Sequence, residues 1–286
     1  MMIHEKYIIN IDKNDNKIIT NNKLENYIKK KIFSGKIIVF KNLYNMQKLI
    51  KFIEEIIAKY FDFSKIDKNF SLTKAEYINF EKKIIFIQKE IKNSVKVKKI
   101  FCSVLEEIKF DKESIFIDKI SMRFINSNTK KKIGELKYTF AHRDTWASNL
   151  FQQLNWWFPL YNINHSNTLF ICPKYFKKYI SNNSKEWTFE KFKKRRGDYP
   201  STPFTNININ KEEKILIKIN RGDLLCFSGH HLHGSNKGLK NRINIETRTI
   251  SSNDLKTYQI PINLDSESDI KKPEWFTNIC NGKKLT

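Results

Sequence analysis

Residues 222–235 read GDLLCFSGHHLHGS, and the order of these fourteen residues decides the fold. A turn at Gly222-Asp223 is followed by the apolar run Leu224-Leu225-Cys226-Phe227, then by Ser228-Gly229 and a cluster of imidazoles. A short apolar run bounded by turn residues reads as a buried strand. In extended chain His231 and His233 share one face and His230 takes the other. Of the two that share a face, His233 is favoured as the functional imidazole, with Gly234-Ser235 after it; His231 is the rival, and His230 is a surface or packing residue.

The same texture extends to either side. Short apolar or alternating runs occur at 115–125, 152–161, 167–171, 214–219, 223–228 and 242–250. Several short strands separated by turns predict an antiparallel β-sandwich or barrel. The first third reads differently. KIIVF at 36–40 is a strand, and Leu49, Ile50, Ile53, Ile56 and Ile57 then recur at helical spacing between Asn45 and Tyr60. The helical period continues from Lys74 to Ile108. Helices first and a compact β-unit second is an α+β layout. With no internal repeat and few Gly or Pro, one domain is expected over 1–286: a mainly helical support at 1–113, a β-core at 114–252 with a lid at 175–205, and a C-terminal extension at 253–286.

Upstream of the imidazoles, Ala141-His142-Arg143-Asp144-Thr145-Trp146 places an imidazole and a carboxylate two residues apart after an extended stretch ending at Phe140. In extended backbone His142 and Asp144 reach one point. Two His and one carboxylate on one face of a metal leave three adjacent coordination positions open, the arrangement of non-haem iron oxygenases. An H-x-D alone is a weak signal, so the downstream half must decide. There Arg242-Ile243-Asn244-Ile245-Glu246-Thr247-Arg248 alternates, putting Arg242, Asn244, Glu246 and Arg248 on one face. So many polar groups on one face need a polar pocket or solvent. Nearly all the positive charge of the chain is Lys, yet two of its few Arg lie on this strand, where a guanidinium can bind a carboxylate through two parallel hydrogen bonds.

Taken together, HRD at 142–144, the strand QLNWWFPLYNIN ending in NTLFICP, GDLLCFSGHHLHGS and the Arg-bearing last strand resemble the phytanoyl-CoA-dioxygenase-like branch of the iron(II)/2-oxoglutarate-dependent oxygenases, over roughly Ser121 to Ile250. The resemblance implies a double-stranded β-helix (jelly roll), with Fe(II) bound by His142, Asp144 and His233. It further implies that Arg242 grips the distal carboxylate of 2-oxoglutarate with help from Ser235, and that O2 is consumed. Arg248 faces the same way and either binds the other carboxylate or pairs with Glu246 or Asp144. Pro173-Lys174-Tyr175-Phe176 stands where family members often carry a Pro-Gly-Ser-His turn, a departure on the substrate side. Asp144 in place of a small residue argues for hydroxylation over halogenation.

Gln153, Asn155 and Trp157 share a strand face that alternates with Leu154, Trp156 and Phe158, so these three are expected to line a substrate pocket, with Trp146 closing over it. His165, in a turn, is expected to face solvent. The expected substrate is a small molecule, anionic if the basic lid helps choose it. The rivals are a nucleic-acid demethylating oxygenase of the alkylation-repair type and a non-oxidative, cupin-like metal-binding protein.

The 286 residues carry a formal net charge of +23, with 40% hydrophobic and 13% aromatic residues. A basic chain suggests a polyanionic partner. Here the Lys are spread along the whole chain beside Asn and Ile, which reads as a solvated surface and makes nucleic acid an unexpected partner. Only Lys193-Lys194-Arg195-Arg196 is a dense patch. Cys102, Cys172, Cys226 and Cys280 form no C-x-x-C pair, so reduced thiols are expected. No stretch approaches the roughly 20 apolar residues of a membrane span, and a cytoplasmic protein is expected.

Overall fold

A computed structural model describes residues 6–14, 23–60, 62, 74–125, 138–164, 166–194, 199–238, 240–257 and 265–286. His165, Arg195 and Arg196 lie outside the described residues. In chain order the elements are β1 (Ile8–Asp12), α1 (Leu24–Phe33), β2 (Ile37–Lys41), α2 (Tyr44–Ala58), α3 (Lys74–Asn93), α4 (Val95–Glu107), β3 (Ile115–Ile117), β4 (Ser121–Ile125), α5 (Thr145–Ser148), β5 (Leu154–Pro159), β6 (Leu169–Cys172), α6 (Phe189–Lys194), β7 (Ile215–Leu216), β8 (Leu224–Ser228), β9 (Leu232–Ser235), β10 (Arg242–Ser251), α7 (Asp254–Thr257) and β11 (Thr277–Asn278).

The strands form two sheets. The larger runs β1-β2-β8-β5-β10-β3-β11, with β4 also on β10, and the smaller runs β7-β6-β9. All pairs are antiparallel except β1 with β2. An isolated bridge between His142 and His233 extends the smaller sheet past β9. From β5 onward the chain passes from the large sheet to β6 and β7, back to β8, out to β9 and back to β10. That repeated crossing winds the two sheets into a jelly roll.

Side-chain alternation explains why the large sheet is apolar on both faces. On β2, β5 and β8 one set of residues (Ile38, Phe40; Leu154, Trp156, Phe158; Leu224, Cys226) packs against the helices. The alternate set (Ile37, Val39; Trp157; Leu225, Phe227) packs against Leu169, Ile171 and Ile215 of the small sheet. Each period-2 strand thereby serves two cores. Trp156 is the centre of the first, with Phe101, Phe110 and Phe40 around it at ring-centroid distances of 6.2, 5.4 and 6.2 Å.

The long helical period of the first third resolves into two helices, because Ser94 stops α3 and caps α4: its Oγ accepts from Val97 N at 3.2 Å. The same third also contributes strands, since β1 and β2 form the edge of the large sheet and β2 pairs with β8. The run 115–125 is two strands, β3 and β4, both on β10.

Candidate metal centre

His142, Asp144 and His233 converge so that one ligand atom from each lies within 4.8 Å of the others. The Nε2 atoms of His142 and His233 stand 3.7 and 3.6 Å from the two carboxylate oxygens of Asp144. Backbone pairing holds the two imidazoles together: His142 N donates to His233 O at 2.8 Å and His233 N to His142 O at 2.9 Å, and the ring centroids are 4.2 Å apart. Each ring also donates its Nδ1 proton to a carbonyl, His142 to Phe140 O and His233 to His231 O, both at 2.8 Å. Those bonds fix the tautomer and leave each Nε2 lone pair facing the carboxylate.

Asp144 arrives by a route different from the i, i+2 alternation expected of an extended chain. Its backbone is helical (φ −65, ψ −27) and opens α5. Asp144 N donates to Gly229 O at 2.9 Å, so the chain bends over the Gly229 turn before the carboxylate points back. Asn155 on β5 donates to Asp144 Oδ2, and Arg248 Nη1 lies 3.7 Å from Oδ1.

Burial sets the protonation states. Desolvation holds the His233 imidazole down at about 4 and depresses that of His142 as well, against the opposing field of Asp144. Asp144 is desolvated too, yet Arg248, His233, His142 and Asn155 together bring its carboxyl down to about 2. Neutral imidazoles beside an ionised carboxylate are the donor set a divalent transition metal needs.

The last strand builds the adjoining wall. Arg242 is 2% exposed, and its Nη2 donates to Ser235 Oγ at 3.0 Å. Its Nε and Nη1 are buried without a hydrogen-bond partner among the described residues. A buried guanidinium with two free N–H directions is costly unless an anion fills the space. Ser235, the hydrogen-bond partner of Arg242, stands two residues past His233 on β9, which sets Arg242 beside the metal-ligand cluster. Two further groups beside the last strand carry no sequence signal. Asp118 pairs with Arg248, and Arg123 on β4 pairs with Glu246. Both lie on the β3–β4 stretch, whose approach to β10 only the sheet register reveals.

The remaining residues named from sequence fall into two groups. Asn155 is at the site through its bond to Asp144. Trp146 is a core residue: it is fully buried with Phe170, Cys172, Ile180 and Leu232, and its Nε1 donates to Asp265 Oδ1 at 2.8 Å. Trp157 packs between the sheets beside Phe227, whose ring centroid lies 5.0 Å from that of His233. Gln153 supports the Gly229 turn, its carbonyl accepting from Gly229 N at 3.0 Å and its Oε1 from Ser148 Oγ at 3.1 Å. His230 is buried between Phe151 and Phe176, a packing residue with no surface role. His231 sets its two ring nitrogens 3.2 Å from Ser228 O and Gly35 O, one of which takes the single N–H of the neutral ring, and contributes no ligand atom to the cluster.

Arg143, between two of the clustered residues, has a role that its place in the sequence does not announce. Fully buried, it donates to the carbonyls of Tyr175, Phe176, Lys178 and His230 and pairs with Asp265 at 3.1 Å. It fastens the 175–178 turn and the C-terminal segment to the metal-ligand stretch. The same segment brings Trp275 over Arg248, with the guanidinium carbon 5.7 Å from the ring centroid, and Phe189 of α6 packs on Trp275 at 5.1 Å.

No family model matches the chain, and no curated protein matches it in sequence. Among solved structures it is similar to EvdO2 from Micromonospora carbonacea var. aurantiaca complexed with 2-oxoglutarate, at 10% identity over 76% of this chain and 86% of that one, with a TM-score of 0.45. The epimerase SnoN in complex with Fe3+, alpha ketoglutarate and nogalamycin RO is matched at 10% identity over 91% and 96%, TM-score 0.43. EctD from S. alaskensis in its apoform is matched at 12% identity over 84% and 79%, TM-score 0.38. In another EvdO2 structure the chain spans only 63% of the matched protein's length. No described helix is long and apolar enough to cross a membrane.

Proposed function

We propose that this chain is an iron(II)- and 2-oxoglutarate-dependent oxygenase of the phytanoyl-CoA-dioxygenase-like branch, hydroxylating a small molecule with release of succinate and carbon dioxide. One observation carries the reading: the unpartnered Nε and Nη1 of buried Arg242 beside a His-Asp-His cluster. A protein that only held a metal would have no need of a buried, half-satisfied guanidinium beside it.

His142, Asp144 and His233 would hold Fe(II). Arg242 and Ser235 would take the distal carboxylate of 2-oxoglutarate, the guanidinium supplying paired N–H donors that an ammonium cannot. When bound, the metal and its co-substrate supply the means of activating O2 for substrate oxidation. The protein's own share is positional. Phe140 O and His231 O keep both imidazoles aimed inward, and Asn155 and Arg248 hold the Asp144 carboxylate ionised and oriented. Arg248 binds no carboxylate of the co-substrate in this reading, since Asp118 and Asp144 already occupy it. The chain acts as a single oxygenase domain over 1–286: 1–113 supplies the helical support together with the β1–β2 edge of the large sheet, 114–252 the core with a lid at 175–205, and 253–286 an extension. The substrate meets the site between Asn155 and the Phe189–Trp275 pair, while Trp146, Gln153 and Trp157 form the packing behind it. An anionic substrate fits the Lys-rich lid.

The test is anaerobic reconstitution with Fe(II) followed by 2-oxoglutarate, reading the visible charge-transfer band of the chelated keto acid. A band in the native protein, absent in Asp144→Ala and weakened in Arg242→Ala, is the expected result. Metal binding with no band would leave a non-oxidative, cupin-like metal protein.

A further inference from the structure

Asp144 is presented by α5, a single helical turn (Thr145–Ser148). One turn fixes more backbone angles than its own hydrogen bonds repay, so its direction has to be set from outside. Gly229 O holds the backbone where it enters the turn. The two side chains flanking Asp144, Arg143 before it and Trp146 after it, are gripped from far along the chain by one carboxylate. Trp146 Nε1 donates to Asp265 Oδ1 at 2.8 Å, and Arg143 Nε lies 3.1 Å from Asp265 Oδ2, with the Arg143 and Asp265 side chains 0% and 1% exposed.

The residues after Asp265 add two more ties to the same turn. Asn149, which closes it with a left-handed backbone (φ 53), donates from Nδ2 to Ser268 O at 2.7 Å, and Lys272 N donates to Ser148 O at 2.9 Å. The segment is itself seated, since Asn182 Nδ2 donates to Asp265 O at 2.6 Å and Glu267 N to Ser184 Oγ at 2.8 Å. Carbonyls satisfy the Nη1 and Nη2 groups of Arg143 but carry no net charge, so Asp265 supplies the counter-charge that a buried guanidinium requires. A counter-charge alone would not call for the bond to Trp146. By taking both neighbours the carboxylate spans Asp144 and denies its turn the freedom to swing. The imidazoles of His142 and His233 are held separately, by their own backbone bridge and by Phe140 O and His231 O.

We propose that Asp265 is a positioning residue for the metal centre: it aims the Asp144 carboxylate by fixing Arg143 and Trp146 on either side, and the segment 265–272 is thereby part of the site. The inference rests on His142, Asp144 and His233 being a metal centre, and not on the co-substrate.

Ni(II), a redox-inert ion suited to imidazole ligands, is titrated by calorimetry into the full-length native protein, Asp265→Asn, Asp144→Ala and the double variant. Asp265→Asn is expected to bind about 10- to 100-fold more weakly, the range that losing an outer partner of a metal ligand costs. In the Asp144→Ala background, where the two imidazoles alone hold the ion, the same change is expected to alter affinity by no more than about 2-fold, because Asp265 acts only through Asp144. Trp146→Phe removes the Nε1 donor and leaves the Arg143 pair intact. Measured in the same two backgrounds, it is expected to weaken Ni(II) about 10-fold with Asp144 present and not without it, and it decides the matter if Asp265→Asn does not fold. Equal losses in both backgrounds would assign Asp265 to the fold alone and overturn the proposal. So would native affinity in Asp265→Asn or, where that variant does not fold, in Trp146→Phe. Native protein and Asp144→Ala that bind Ni(II) alike would remove the metal centre itself, and this proposal with it.

Discussion

At the scale of the residue, His231 and His233 share the strand face that the sequence assigns them, and hydrogen bonds separate their roles. His231 has both ring nitrogens against carbonyls, those of Ser228 and Gly35, and donates its one N–H there, whereas His233 donates its Nδ1 proton to His231 O and turns Nε2 to Asp144. His233→Ala is therefore expected to abolish Fe(II) binding in equilibrium dialysis, and His231→Gln to keep it; loss of metal from the second variant would move the ligand assignment to His231. Arg242 is the companion case. Arg242→Lys keeps the charge and loses the fork, with an expected drop in 2-oxoglutarate affinity of about 10- to 100-fold, since a charge-assisted hydrogen bond is worth roughly 1.5–3 kcal/mol. Ser235→Ala removes one partner of that guanidinium and is expected to cost about 10-fold at most. Affinity by titration calorimetry that is equal in Arg242→Lys and native protein would show that Arg242 takes no part in gripping the keto acid.

At the scale of the element, β9 reads plainly in the sequence as a short run carrying His233, Gly234 and Ser235. What the sequence withholds is the partner strand. Gly234 stands opposite Phe170 on β6, and a Cβ there would meet Phe140 O and the Phe170 ring, each at 2.9 Å. Phe140 O is the acceptor that orients His142. Gly234→Ala is thus expected to leave the fold intact and to weaken Fe(II) binding about 10-fold, the low end of what disturbing a ligand's hydrogen-bond partner costs; dialysis of the two proteins side by side measures it. The same dependence on partners explains the other gaps. The β5 alternation is legible, but that Trp157 meets the small sheet while Asn155 meets Asp144 depends on the register of β5 with β8 and β10. Trp146 goes with α5, a single turn whose bend over Gly229 no propensity announces. Asp118 and Arg123 stand in ordinary-looking stretches, and their pairing with Arg248 and Glu246 is a matter of sheet order alone.

At the scale of the whole molecule, the helical layer and the far end of β10 are joined by a buried ion pair. Lys29 of α1 and Asp254 at the start of α7 are 3% and 4% exposed at their side chains and 2.8 Å apart, with Glu25 also on Lys29. Burial raises the Asp254 carboxyl to about 6, against the opposing pull of Lys29. A carboxyl raised in the folded state above its unfolded value binds its proton more tightly when native, so its contribution to stability is fully present below about pH 4 and is lost as pH rises through about 6. Summed over that interval at about 1.4 kcal/mol per pKa unit, the loss is on the order of 2–3 kcal/mol. Asp254→Asn removes the titration, whatever constant offset it adds by leaving Lys29 to Glu25 alone. Urea unfolding of both proteins at pH 4, 5, 6 and 7 is expected to show the native protein losing ground to the variant across the series. A stability difference that stays level over those four pH values would mean that Lys29 holds Asp254 ionised throughout, the attraction within the pair outweighing the cost of burying it.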